Sequence, residues 1–128
     1  MKCPVCNCEL IVVERQRVEL DYCISCRGLW FDSGELEHLF EIYSIDASLL
    51  DISTVQPIET PEKKRLCPRC DKKMDKVTIG DAPGVIADRC PSGEGIWLDK
   101  GELGAIMDEK GDQDHSKILK FLGETFNA

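Results

Sequence analysis

The chain states one cysteine pattern twice. Cys3-Pro4-Val5-Cys6 returns as Cys67-Pro68-Arg69-Cys70. The run from Cys23 through Cys26, Gly28, Trp30, Asp32, Gly34, Glu35 and Leu36 returns as the run from Cys90 through Gly95, Trp97, Asp99, Gly101, Glu102 and Leu103. The cysteine pairs are offset by 64 positions and the tryptophan segments by 67, so the second copy carries three extra residues. Such a repeat divides the chain into units of about 45 residues. Units that small bury too little apolar surface to be secure alone, and a metal or disulfides usually make up the deficit. The expected division is a first module at 1–44, a linker at 45–64, a second module at 65–111 and a terminal helix at 112–128.

Eight cysteines leave the choice between disulfides and metal. No secretory signal peptide precedes Cys3, and no apolar run approaches the roughly 18 residues of a membrane span. A soluble protein of the cytoplasm is therefore expected, where reduced thiols favour metal ligation. In the first module, Cys3 and Cys6 are separated by sixteen residues from Cys23 and Cys26, a spacing that suits one four-cysteine zinc site. Each C-x-x-C bends the backbone into a knuckle that aims two sulfurs at one point. Four thiolates at about 2.3 Å then complete the coordination of zinc. Iron could use the same four sulfurs. Dithiol redox chemistry fits poorly, because Cys3 and Cys6 precede a strand and do not open a helix.

The second module offers Cys67, Cys70 and Cys90, because Gly93 stands where the first has Cys26. Its fourth ligand is open among Glu94, His115, the leftover Cys8 and a water molecule.

Two short apolar runs, 10–13 and 18–22, around a polar tip predict a β-hairpin, with Val18, Leu20 and Tyr22 alternating with Glu19 and Asp21, and the second copy gives another from 74–79 and 85–88. A helix is predicted after each tryptophan. Asp32 with Glu35, and Asp99 with Glu102, resemble capping boxes. Leu36, Leu39, Phe40 and Tyr43 mark one buried helical face, as do Leu103, Ile106 and Met107. Trp30 and Trp97 are expected to lock each helix against its hairpin. Gly34 and Gly101 weaken a first helical turn, so a close neighbour is expected at each. Ile118, Leu119, Phe121, Leu122 and Phe126 predict a final amphipathic helix.

These residues resemble the zinc-ribbon family called the transcription-factor zinc-finger domain, named for its similarity to the ribbon of the general transcription factor TFIIB. Its pattern reads C-P-x-C, a hairpin, then C-x-x-C-x-G-x-W-x-D-x-G-E-L. Residues 3–40 match throughout, and residues 67–107 match except at the fourth ligand. The resemblance implies zinc as cofactor, and a small α+β fold of two tandem zinc-ribbon modules, each a β-hairpin plus a helix, followed by the C-terminal amphipathic helix. Some members place a His directly after the glycine of the second pair, so the resemblance makes Glu94 the first choice of fourth ligand. The expected metal set is thus Cys3, Cys6, Cys23 and Cys26, with Cys67, Cys70, Cys90 and Glu94.

The expected function is structural zinc binding in a small intracellular interaction or adaptor protein with a protein partner. A net charge of −8, made more negative by bound thiolates, opposes approach to nucleic acid. Transcription-related nucleic-acid binding is the alternative, with Arg65, Arg69, Lys72, Lys73 and Lys76 as its patch. A metal-dependent enzyme using the incomplete second site is the third reading, but no nucleophile–base set supports it and no enzyme is expected.

Overall fold

The computed structural model describes residues 1–15, 17–42, 56–79 and 85–102. The first copy contributes β1 (Ile11–Arg15), β2 (Val18–Tyr22), β3 (Leu29–Asp32) and helix α1 (Glu35–Ile42). The second contributes β4 (Asp75–Ile79), β5 (Val85–Arg89) and β6 (Gly95–Leu98). Both hairpins form where the apolar runs placed them. The predicted second helix beyond Glu102, the C-terminal helix and His115 lie outside the described residues. Among the described residues no helix is long and apolar enough to cross a membrane.

The tryptophan segments are strands, which the sequence reading missed. The strand order β1-β2-β3-β6-β5-β4 makes one six-stranded antiparallel sheet from both copies. The seam is the β3–β6 pair, with Leu29 opposite Leu98, Trp30 opposite Trp97 and Phe31 opposite Ile96. Backbone hydrogen bonding therefore runs from one copy into the other. The end of the linker also lies along the sheet, with the Ile58 N–H donating to the Lys76 carbonyl at 2.8 Å.

Alternation along the strands sorts side chains onto two faces. One face gathers Val18, Leu20, Leu29, Phe31, Val77, Ile79, Val85, Ala87, Ile96 and Leu98, and α1 seats Leu36, Leu39 and Phe40 on it. α1 packs across β2 and β3. Each large apolar side chain buried there contributes roughly 1.5–3 kcal/mol. The other face holds Trp30 and Trp97 with Leu10, Met74 and the cysteines Cys3, Cys23, Cys67 and Cys90. Trp30 thus does not lock α1 to its hairpin, and the helix expected after Trp97 lies outside the described residues. The two tryptophans form the floor beneath the two cysteine clusters.

The glycines beside them explain how. A Cβ on Gly28 would overlap the six-membered ring of Trp97. A Cβ on Gly95 would run into the Phe31 carbonyl and come within 2.7 Å of the Trp30 ring. Each copy's tryptophan therefore lies over the other copy's glycine, across the seam. Gly34 and Gly101 serve a different need. Nothing lies within 4 Å of a Cβ on either, and both adopt positive φ, 88° and 87°. Among the described residues the close neighbour expected from sequence is absent, and the left-handed backbone is what selects glycine there.

Candidate metal centres

Three of the four knuckles share one geometry. The outer bond runs from the N–H of the first cysteine to the carbonyl five residues on: Cys3 to Cys8 at 2.7 Å, Cys23 to Gly28 at 3.1 Å and Cys67 to Lys72 at 2.8 Å. The inner bond returns from the residue after the second cysteine: Asn7 to Cys3 at 2.9 Å, Arg27 to Cys23 at 2.8 Å and Asp71 to Cys67 at 2.9 Å. Those three closing residues take positive φ, 62°, 64° and 62°. N–H groups inside the turn then point at sulfur. Cys3 Sγ accepts from Val5 and Cys6 at 3.3 and 3.2 Å, Cys23 Sγ from Cys26 at 3.4 Å, and Cys67 Sγ from Arg69 at 3.4 Å.

The fourth knuckle keeps the frame and changes the interior. Cys90 N–H still donates to the Gly95 carbonyl at 3.1 Å, but the inner bond is shortened by one residue, from Gly93 N–H to the Cys90 carbonyl at 3.1 Å. The positive φ moves with it, to 79° at Gly93. A tighter turn has replaced the knuckle, and only glycine enters that conformation readily.

The cysteines assemble as the spacing predicts. Sγ atoms of Cys3, Cys6, Cys23 and Cys26 lie within 4.8 Å of one another, as do those of Cys67, Cys70 and Cys90. Cys3 and Cys26 sulfurs are 3.7 Å apart, and Cys70 and Cys90 sulfurs 3.5 Å. Clustered thiols with N–H donors aimed at them are the donor set zinc requires, so both groups could hold it. Glu94 is not gathered. Its residue is exposed and its carboxylate is not among the ligand atoms of the second group. Its backbone carbonyl instead accepts from Ser33 N–H at 3.0 Å, tying the fourth turn to the first copy. Cys8 lies beside the first centre, its Sγ 3.4 Å from that of Cys23, but outside the group of four. One centre has a sulfur to spare and the other lacks one.

Crowded thiols cannot all ionise together. Burial pushes the Cys23 thiol up, but donors from Cys26 N–H, the Cys8 thiol and Ser25 N–H outweigh it and bring it to about 6. Cys8, donating to Cys23, rises to about 11. Burial raises Cys26, and raises Cys67 to about 12. Cys90 is lowered despite burial, by N–H groups of Glu94 and Ser92. A metal ion must therefore displace protons to enter either cluster.

The repeated aspartates do not act as simple caps. Asp32 Oδ1 accepts from the Trp30 indole at 2.9 Å and, with Oδ2, receives the Arg69 guanidinium in a bidentate pair. Arg69 holds the Asp32 carboxyl below its usual range. Asp99 Oδ1 accepts from the Trp97 indole at 3.0 Å and from Arg65 at 2.5 Å. Half of the expected capping box does appear in the second copy, where Glu102 accepts from the Asp99 N–H at 2.5 Å. In the first copy Glu35 accepts from Glu19 N–H at 3.3 Å. Lys76 is buried against Asp88, Nζ to Oδ1 at 2.6 Å, with Glu62 at 3.5 Å. The sequence reading missed Asp21 and Asp88 as buried acids. Alternation placed Asp21 toward solvent, and Asp88 closed a run without a facing of its own. Burial and the neighbouring Asp32 raise Asp21 to about 6.

A family model described as transcription factor zinc-finger matches residues 2–42 and 66–109. The two segments correspond to the two copies. No curated protein and no solved structure matches the chain significantly.

Proposed function

We propose that this chain, which belongs to the transcription factor zinc-finger family, uses zinc structurally in a small protein-interaction module. The observation that carries this reading is the fate of the basic cluster. Arg69 is committed to Asp32, and Arg65 to Asp99 with Asp88 at 3.6 Å. Lys76 is buried with Asp88 and Glu62. Lys72 donates only to the neutral Ser92 Oγ at 2.8 Å and keeps its charge, so three of the five cations are paired with carboxylates. Spent in this way, the cluster offers little to a phosphate backbone, and the net charge of −8 adds long-range repulsion. Exposed apolar side chains around the cysteine end, Met1, Val5, Ile24 and Leu66, favour a protein partner.

The reading involves no enzymatic step. Asp32 and Asp99, the carboxylates beside the tryptophans, are already engaged by indole and guanidinium donors. Binding of the zinc-loaded chain to mixed DNA and RNA, followed by fluorescence anisotropy across a salt series, tests the reading. Weak binding is expected at physiological salt. Submicromolar affinity that falls steeply with salt would favour a nucleic-acid reader instead.

A further inference from the structure

We infer that the second centre is a three-thiolate metal site whose remaining position is open and takes a small thiolate from solution. This rests on the reading that Cys67, Cys70 and Cys90 hold a metal. The fourth turn supplies the argument. In the other three knuckles the residue at positive φ follows the second cysteine, so the cysteine itself keeps an ordinary backbone and its thiol joins the cluster. In the fourth, Gly93 occupies both roles and brings no side chain.

No described side chain fills the gap. Glu94 stays outside the cluster, and Cys8 lies beside the first centre, next to Cys23. The residues bordering the gap, Pro91, Ser92, Gly93 and Glu94, are all exposed, so a ligand can reach it from water. Its chemistry follows from the surroundings. A metal already held by three thiolates is soft and accepts a further sulfur well. Lys72 reaches across the two turns of this centre to Ser92 Oγ at 2.8 Å, placing an ammonium beside the open corner, where it favours an anionic donor. The repeat puts Lys72 where the first copy has Cys8, so the centre lacking a sulfur has a cation in place of the spare one. Coordination is a simple exchange. The incoming thiol would lose its proton to solvent, and its sulfur would take the position that Cys67, Cys70 and Cys90 leave, in place of solvent.

Cadmium NMR of the full-length, cadmium-loaded chain tests this, with metal content measured on the same sample. Two cadmium ions per chain and two resonances are expected. Added 2-mercaptoethanol should move one resonance, and Cys70→Ser should perturb that same resonance and spare the other. Imidazole at equal concentration should move it less. A larger response to imidazole overturns the thiolate assignment. So does a thiol response on the resonance that Cys70→Ser leaves alone. Two cadmium ions with no response to thiol overturns the open position, and a response gained in His115→Ala or Glu94→Ala then identifies the chain's own ligand. One cadmium per chain fails the metal reading itself, a different outcome from a closed second site.

Discussion

At Gly28 and Gly34 one amino acid meets two different physical demands. Gly28 has no room for a Cβ because the Trp97 ring fills it, whereas Gly34 has room and needs a positive φ of 88°. Gly28→Ala should therefore cost about 3 kcal/mol or more through overpacking at the seam. Gly34→Ala should cost about 1 kcal/mol, the penalty of a left-handed alanine. Chemical denaturation of the zinc-loaded variants checks the order, and equal costs would contradict it. Glu102 provides a pH prediction. Burial raises it from 4.5 to about 7, against the Asp99 N–H that favours its charged form. The folded chain thus keeps a proton that the unfolded chain releases. That stabilisation is complete below about pH 4.5 and is lost as pH rises through about 7. Glu102→Gln keeps the acceptor for Asp99 and removes the charge. Its melting temperature should gain on the parent between pH 5 and pH 8, and a constant gap would show that Glu102 does not titrate in this range.

The cysteine knuckle is the element that the two copies treat differently. Its frame survives in all four, because the outer hydrogen bond involves backbone alone. The inner bond depends on which residue can enter the left-handed region, and a glycine at Gly93 lets the turn close one residue early. This local change removes a ligand without disturbing the strand that follows. Metal affinity should reflect it. Three thiolates hold zinc less tightly than four, so a chelator should empty the second centre first and the first centre at higher concentration. Release in one step, or in the reverse order from a chain with Cys70→Ser as marker, would contradict the assignment.

For the molecule as a whole, the consequence of the β3–β6 pair is that neither copy is energetically private. Trp30 and Trp97 are fully buried and stand opposite one another, each over the other copy's glycine. Arg69 of the second copy reaches Asp32 of the first, and Ser33 N–H reaches the Glu94 carbonyl. Loss of one metal centre should therefore be felt across the seam. Cys26→Ser should lower hydrogen-exchange protection at Ile96, Trp97 and Leu98 as well as in β2 and β3. Unchanged protection in β6 would mean that the copies fold independently despite the shared sheet.

The thiol cluster of the first centre was legible because a C-x-x-C knuckle is a local object, set by hydrogen bonds within six residues. The hairpins were legible for the same reason, since short apolar runs around a turn, with alternation in 18–22, report on neighbouring strands. Gly93 announced a missing thiol, and family resemblance then pointed to Glu94, whose carboxylate lies outside the cluster of three. β3 and β6 were missed because four residues with a tryptophan among other apolar side chains show no readable period. Their pairing, the roles of Gly28 and Gly95, and the capture of Asp32 by a guanidinium 37 residues away are long-range facts. They exist only once the two copies meet. The sequence by itself determined the repeat, the hairpins and the thiol clusters, because those are set by neighbours in the chain. Tertiary structure decided the single sheet, the faces of the tryptophans and the partners of the charged residues, because these depend on surfaces that the chain brings together only by folding.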